Sequence, residues 1–155
     1  RVRCWGKKGA RKVDVKIATS KGDYTEREMQ PFREQMLAEA AGADFGFYNM
    51  GGIRDHFRAG PVSARHIWNI APFGNAMVTV TGNGRAIKQM LLREDSEHHR
   101  IPELVDEKEY TVATSNFVAD QTQKMLGDQV VLNNRLVLVR DVLIDYLKSN
   151  GIRID

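Results

Sequence analysis

Asn49-Met50-Gly51-Gly52-Ile53-Arg54 places an arginine just beyond a pair of glycines, at the end of an apolar run. Two residues without side chains let a ligand come up against bare backbone, and amide groups exposed there bind anions. A guanidinium that follows can fork onto two oxygens of a phosphate or carboxylate, which a lysine does not match geometrically. Two other loops supply rings. Phe73 stands between Pro72 and Gly74 in "APFGNAM", and Phe117 stands in "SNFVAD", where a strand gives way to a loop or helix. Rings from separate loops can clamp a flat base on both faces, and such stacking contributes about 1–3 kcal/mol per base. Each feature alone has an ordinary explanation: a glycine turn with Arg54 in a surface ion pair, and two phenylalanines in the core. Together they suggest a site for a charged, flat-ringed ligand.

The rest of the chain must position these residues. At 155 residues and 17.5 kDa it is the size of one domain. Hydrophobic residues make up 42% and charged residues 28%, a soluble globular composition that excludes disordered and membrane classes. No apolar run approaches the roughly 20 residues that span a bilayer. The single cysteine, Cys4, excludes an internal disulfide and any multi-cysteine metal site. Net charge is +3. It is concentrated in "RVRCWGKKGARK", where Arg1, Arg3, Lys7, Lys8, Arg11 and Lys12 meet no acid. Residues 1–12 are expected to form a basic tail or interdomain linker, a reading favoured over a nucleic-acid-binding arm. Because the first residue is Arg1 rather than methionine, the chain is expected to be a piece of something longer.

"VDVKIAT" (13 to 19) alternates as a half-buried strand does. Met29, Phe32, Met36, Leu37 and Ala40 recur at helical spacing and stop at Gly42; Thr25 and Glu28 could form a capping box, but Pro31 would then fall inside the helix. "ADFGFYN" (43 to 49) reads as a buried strand, and "VSARHIWNIA" as a short helix capped by Ser63. "AMVTVT" (76 to 81) and "EYTVATS" (109 to 115) read as strands, with the helical spacing of "GRAIKQMLLRE" between them. The last helix carries Val139, Val142, Leu143, Tyr146 and Leu147 as one apolar stripe, stopped by Gly151. Irregular interleaving of strands and helices predicts an α+β fold: a single compact domain over residues 13–155, with a mixed sheet and flanking helices.

In order, Asn49-x-Gly-Gly-Ile-Arg54, Gly60-Pro61-Val62, Pro72-Phe73-Gly74-Asn75, "VTVTG", "YTVATSNF" and "VRDVLIDYLKSNG" resemble the C-terminal, substrate-binding domain of the 5′-nucleotidase family, from Asp44 to Gly151. The resemblance implies a two-domain hydrolase whose N-terminal metallophosphoesterase domain, absent from these residues, holds two divalent metal ions and performs hydrolysis. Carried over by position, Arg54 with Gly51 and Gly52 would meet the phosphate. Asn49 and Asn75 would bond the base or sugar, and Phe73 and Phe117 would sandwich the base. Family members usually follow the second phenylalanine with Gly-Gly-Asp-Gly, whose aspartate holds the ribose hydroxyls; this chain has "VADQTQKML". Gln123 stands at the aspartate's spacing and Asp120 nearby, so both join the candidate site. The family's second phosphate arginine is also displaced around "KGDYTEREMQPF", where Arg27 is out of step and Lys21 is a possible substitute.

The resemblance further implies a nucleotide or related phosphorylated small molecule as ligand, the metallophosphoesterase domain as partner in cis, and a periplasmic, secreted or cell-surface location. Two other readings stand beside it: a binding module that has lost catalysis, and the same architecture acting on a nucleotide sugar, cyclic nucleotide or sulfur ester. No catalytic or metal-ligating residue is expected in this chain. A two-metal site needs several Asp, His and Asn ligands. Adjacent His98 and His99 cannot face one ion from a regular element, and His56 and His66 lack a ligand pattern. By itself the chain is expected to hydrolyse nothing.

Overall fold

A computed structural model of the chain describes residues 26–49, 52, 54–55, 61–95 and 102–155, with the side chains of 26–32 and 93–95 left aside. The expected strand at 13–19, the basic stretch 1–12, the Thr25 cap, Lys21, Gly51, His56, Gly60 and the His98-His99 pair lie outside the described residues.

Helix α1 (Glu26–Ala41) carries Pro31 within it and ends at Gly42, whose φ of 63° is the left-handed conformation that glycine adopts without strain. Strand β1 is only Phe45–Gly46, shorter than the apolar run suggests; one more bond to β3 follows it, the Phe47 N–H donating to the Ala113 carbonyl at 2.8 Å. Gly46 is demanded by packing. A Cβ at this position would fall 1.9 Å from the Glu34 carbonyl oxygen, so α1 lies directly on β1.

Helix α2 (Ala64–Ile70) starts as its sequence predicts. Ser63 Oγ accepts the His66 N–H at 3.3 Å, and the Ser63 N–H donates to His66 Nδ1 at 3.1 Å, closing a capping box. Then come β2 (Ala76–Asn83), α3 (Gly84–Asp95), β3 (Glu109–Ser115), α4 (Asn116–Leu126), β4 (Val130–Leu138) and α5 (Val139–Ser149). The final helix begins at Val139, the first residue of its apolar stripe, and Leu136–Leu138 before it belong to β4.

The sheet order is β1-β3-β2-β4, with β1 parallel to β3 and the other pairs antiparallel. It is the mixed sheet with flanking helices that the sequence predicts. Side-chain alternation divides the core between its two faces. Met77 and Ala113 join Met36, Leu37, Tyr48, Ile67, Ile70, Leu143 and Leu147 beneath α1, α2 and α5. Their neighbours Val78 and Val112 join Val80, Ile87, Met90 and Val118 beneath α3 and α4. The α5 stripe is buried throughout, Leu143 and Leu147 completely; truncating such a leucine to alanine costs about 2–5 kcal/mol. The chain leaves β1 and β3, and enters β2, at the same end of the sheet, so residues 47–49, 71–75 and 115–117 gather there.

Candidate functional site

At that end lies a cavity of about 430 Å³ lined by Asn49, Gly52, Arg54, Phe73, Asn75 and Phe117. Six of the nine residues singled out from sequence therefore share one space, although they come from three separated segments.

Local bonding explains how they meet. Ser115 caps α4 by accepting the Val118 N–H at 3.4 Å, which sets Phe117 in the helix's first turn. The neighbouring Asn116 Oδ1 accepts the Ala76 N–H at 3.0 Å, fastening that turn to the segment carrying Phe73 and Asn75. The Asn75 carbonyl accepts the Val139 N–H at 2.8 Å, adding the start of α5 to the same frame. The end of α2 is tied down as well. The Arg140 Nη1 donates to the Ala71 carbonyl at 3.0 Å, and its guanidinium lies 3.4 Å from the centroid of the Trp68 ring.

Both rings are open to a guest rather than locked in the core, with Phe73 42% and Phe117 48% exposed. The Arg54 guanidinium is exposed and stands 5.3 Å from the centroid of the Phe73 ring. Among the described residues no carboxylate forms an ion pair with it. It can therefore stack on the ring and still offer its donor edge to an anion. The Arg54 N–H donates to the Ile70 carbonyl at 3.2 Å, which fixes the backbone from which that side chain projects.

The polar lining is specific. Asn49 Oδ1 is buried and has no hydrogen-bond partner among the described residues; a buried acceptor left unmade costs about 1–3 kcal/mol, and a donor on a ligand would restore it. The Asn75 Nδ2 donates to the Tyr48 hydroxyl at 3.4 Å, leaving its carbonyl oxygen as a further acceptor. Gly52 is glycine for a steric reason, since a Cβ there would fall 2.1 Å from Tyr48 Cε1.

Asp120 and Gln123 are not part of this lining. The reason is that α4 runs on as a regular helix through "VADQTQKML". Its Gln123 Nε2 donates to the Gly127 carbonyl at 2.9 Å, at the helix's far end. Asp120 is exposed, three residues beyond Phe117 and so on the same helix face. Sequence reading missed two residues, Arg33 and Tyr48, which stand behind the wall formed by Gly52. Among the described residues no group of three or more His, Cys, Asp or Glu is gathered to hold a metal ion.

Residues 9–104 match the sequence profile described as "5′-nucleotidase, C-terminal domain". A 5′-nucleotidase of Vibrio parahaemolyticus is 31% identical over 99 residues, which are 58% of this chain and 18% of that protein. The 5′-nucleotidase precursor of Thermus thermophilus superposes with a TM-score of 0.74 at 20% identity, covering 88% of this chain and 37% of the other. The NAD nucleotidase of Haemophilus influenzae superposes with a TM-score of 0.61 at 17% identity, covering 79% and 30%. At these identities the two superpositions speak of fold. The chain spans less than a fifth of the length of the Vibrio relative. The profile match stops short of Phe117, which enters through the fold.

Proposed function

The chain belongs to the 5′-nucleotidase C-terminal domain family, and from that premise we propose that its cavity binds the phosphate and base of a nucleotide presented for hydrolysis by a separate two-metal domain in the same polypeptide. The observation that carries this reading is the convergence of Arg54, two half-exposed phenyl rings from separate segments and the buried Asn49 Oδ1, unbonded among the described residues, on one cavity. Arg54 takes the phosphoryl oxygens. The rings take the two faces of the base, and Asn49 accepts from a donor on its edge or on the sugar. Gly51, next to Gly52 in sequence, is assigned to the phosphate with it. Asp120, sharing the helix face of Phe117, is the carboxylate assigned to sugar hydroxyls, while Gln123 is occupied at the end of α4. In the parent, Arg54 offsets charge on the phosphoryl group while the separate domain supplies the attacking water. A periplasmic, secreted or surface location belongs to the same proposal.

A second reading is a binding module without catalysis. It is favoured by one observation: α4 continues as a regular helix where the resemblance calls for a glycine-rich, ribose-holding turn. The same feature admits substrates that differ at the sugar, such as a nucleotide sugar or cyclic nucleotide.

Titration of the 155-residue chain with AMP, adenosine and inorganic phosphate tests the assignment. AMP is expected to bind more tightly than either fragment. AMP no tighter than phosphate would remove the aromatic clamp, and AMP no tighter than adenosine would remove the role of Arg54. In a full-length parent, Arg54→Ala is expected to lower nucleotide turnover; unchanged kinetics would remove the role assigned to Arg54, and a parent with no turnover would favour the non-catalytic module.

A further inference from the structure

Arg33 is completely buried, in the middle of α1, on a helix face shared with Met36 and Leu37. A charge in such a place is costly unless hydrogen bonds compensate it, and an apolar side chain of similar volume would pack there without that cost. What meets the guanidinium is informative. Its Nη1 donates to the Gly52 carbonyl at 3.0 Å and its Nη2 to the Ile70 carbonyl at 3.3 Å. Its Cζ lies 4.6 Å from the centroid of the Tyr48 ring. Nε is buried without a partner among the described residues, where two carbonyls and one aromatic face hold the group. Burial pushes its pKa below the ordinary arginine value while Tyr48 pulls it back up, and an arginine stays charged under such a shift.

The two carbonyls are not arbitrary. Gly52 is itself a wall of the cavity. The Ile70 carbonyl is the acceptor that also holds the Arg54 N–H. The Tyr48 ring under the guanidinium touches Gly52 on one side and carries, on its hydroxyl, the Asn75 amide on the other.

We propose that Arg33 is a positioning residue for the anion-binding wall: by bridging the carbonyls of Gly52 and Ile70 it fixes the turn from which Arg54 projects into the cavity. This rests on the reading of the cavity as a nucleotide site. Arg33 does not touch the ligand. A planar fork spans the two carbonyls from one side chain, whereas a lysine ammonium on the same stem reaches one of them at a time.

The test is calorimetric titration of the 155-residue chain and its Arg33→Met and Arg33→Lys variants with AMP and with adenosine, alongside amide exchange at Arg54 and thermal melts. Arg33→Met is expected to weaken AMP about tenfold, as loss of charge-assisted positioning bonds implies, with adenosine affinity at the wild-type value and the Arg54 amide exchanging faster. Arg33→Lys is expected to lose about threefold for AMP, a partial rescue. Equal proportional losses for AMP and adenosine would show a packing role only and overturn the proposal, as would unchanged AMP affinity in either variant. Should Arg33→Met fail to fold, Arg33→Lys decides by the same criteria. If the wild type binds neither AMP nor phosphate, the nucleotide reading falls. Exchange at Arg54 in Arg33→Lys then still separates the two claims: faster exchange supports the bridge, and unaltered exchange overturns it.

Discussion

A second cavity, about 480 Å³, lies between α1, α5 and the nearby strands, and it differs from the candidate site in charge rather than in size. It is lined by Glu39, Asp145 and Tyr146, with Met77, Val137, Val142, Ser149 and Asn150 among its other walls. The candidate site, about 430 Å³, has Arg54, two phenyl rings and a buried amide oxygen that no described residue bonds. Volume alone would rank the two alike. An anionic ligand is repelled from carboxylates and attracted to a guanidinium, and a flat base needs exposed rings, of which the candidate site has two. The comparison teaches that donor chemistry, aimed by the end of the sheet where three segments converge, selects the site.

The largest expected effect breaks the comparison outright. Arg54→Ala should weaken AMP about 100-fold, the loss expected of a forked charge-assisted contact, and leave adenosine nearly unchanged; calorimetry on both ligands checks this. Phe73→Ala or Phe117→Ala should each cost about tenfold for AMP and for adenosine alike, because stacking is indifferent to phosphate. Glu39→Gln with Asp145→Asn removes the negative lining of the second cavity and should leave AMP affinity at the wild-type value, a change smaller than about twofold under screening at physiological salt. A rise well beyond that would mean the second cavity takes the phosphate.

The smallest effect concerns pH and sharpens the electrostatic contrast. Burial, with the Glu39 charge adding to it, pushes the Tyr146 hydroxyl up to about 12. Because the folded value exceeds the unfolded one of about 10, the protonated hydroxyl contributes stability that is complete below about pH 10 and is lost as pH rises toward about 12. Thermal melts should therefore fall more steeply above about pH 10 in the wild type than in Tyr146→Phe.

Much of this was legible in the sequence because local rules carried it. The Ser63 cap, the Gly42 and Gly151 stops, the α5 stripe and the alternation of β2 and β3 each follow from nearby residues alone. The ligand-facing residues were legible for a different reason: glycines, an arginine and loop phenylalanines are unusual where they stand. What escaped was decided by tertiary contact. Arg33 lies among residues spaced like any amphipathic helix, and only the approach of Gly52 and Ile70 reveals why a cation is buried there. Tyr48 reads as part of an apolar run, yet its ring packs against both the Arg33 guanidinium and Gly52. Gln123 stands at the spacing of a sugar-holding aspartate, but continuation of α4 turns it to the Gly127 carbonyl instead. Spacing along a chain fixes a side chain's direction only when the backbone conformation is known.

The central claim is that one cavity, at the shared end of β1, β2 and β3, receives the nucleotide. Its most direct measurement is a backbone-amide and side-chain NMR titration of the isotopically labelled chain with AMP. Shifts are expected at Asn49, Gly52, Arg54, Asn75 and Phe117, with Glu39, Asp145 and Tyr146 unmoved. Shifts clustered around Tyr146, or none at Arg54 under saturating AMP, would contradict it.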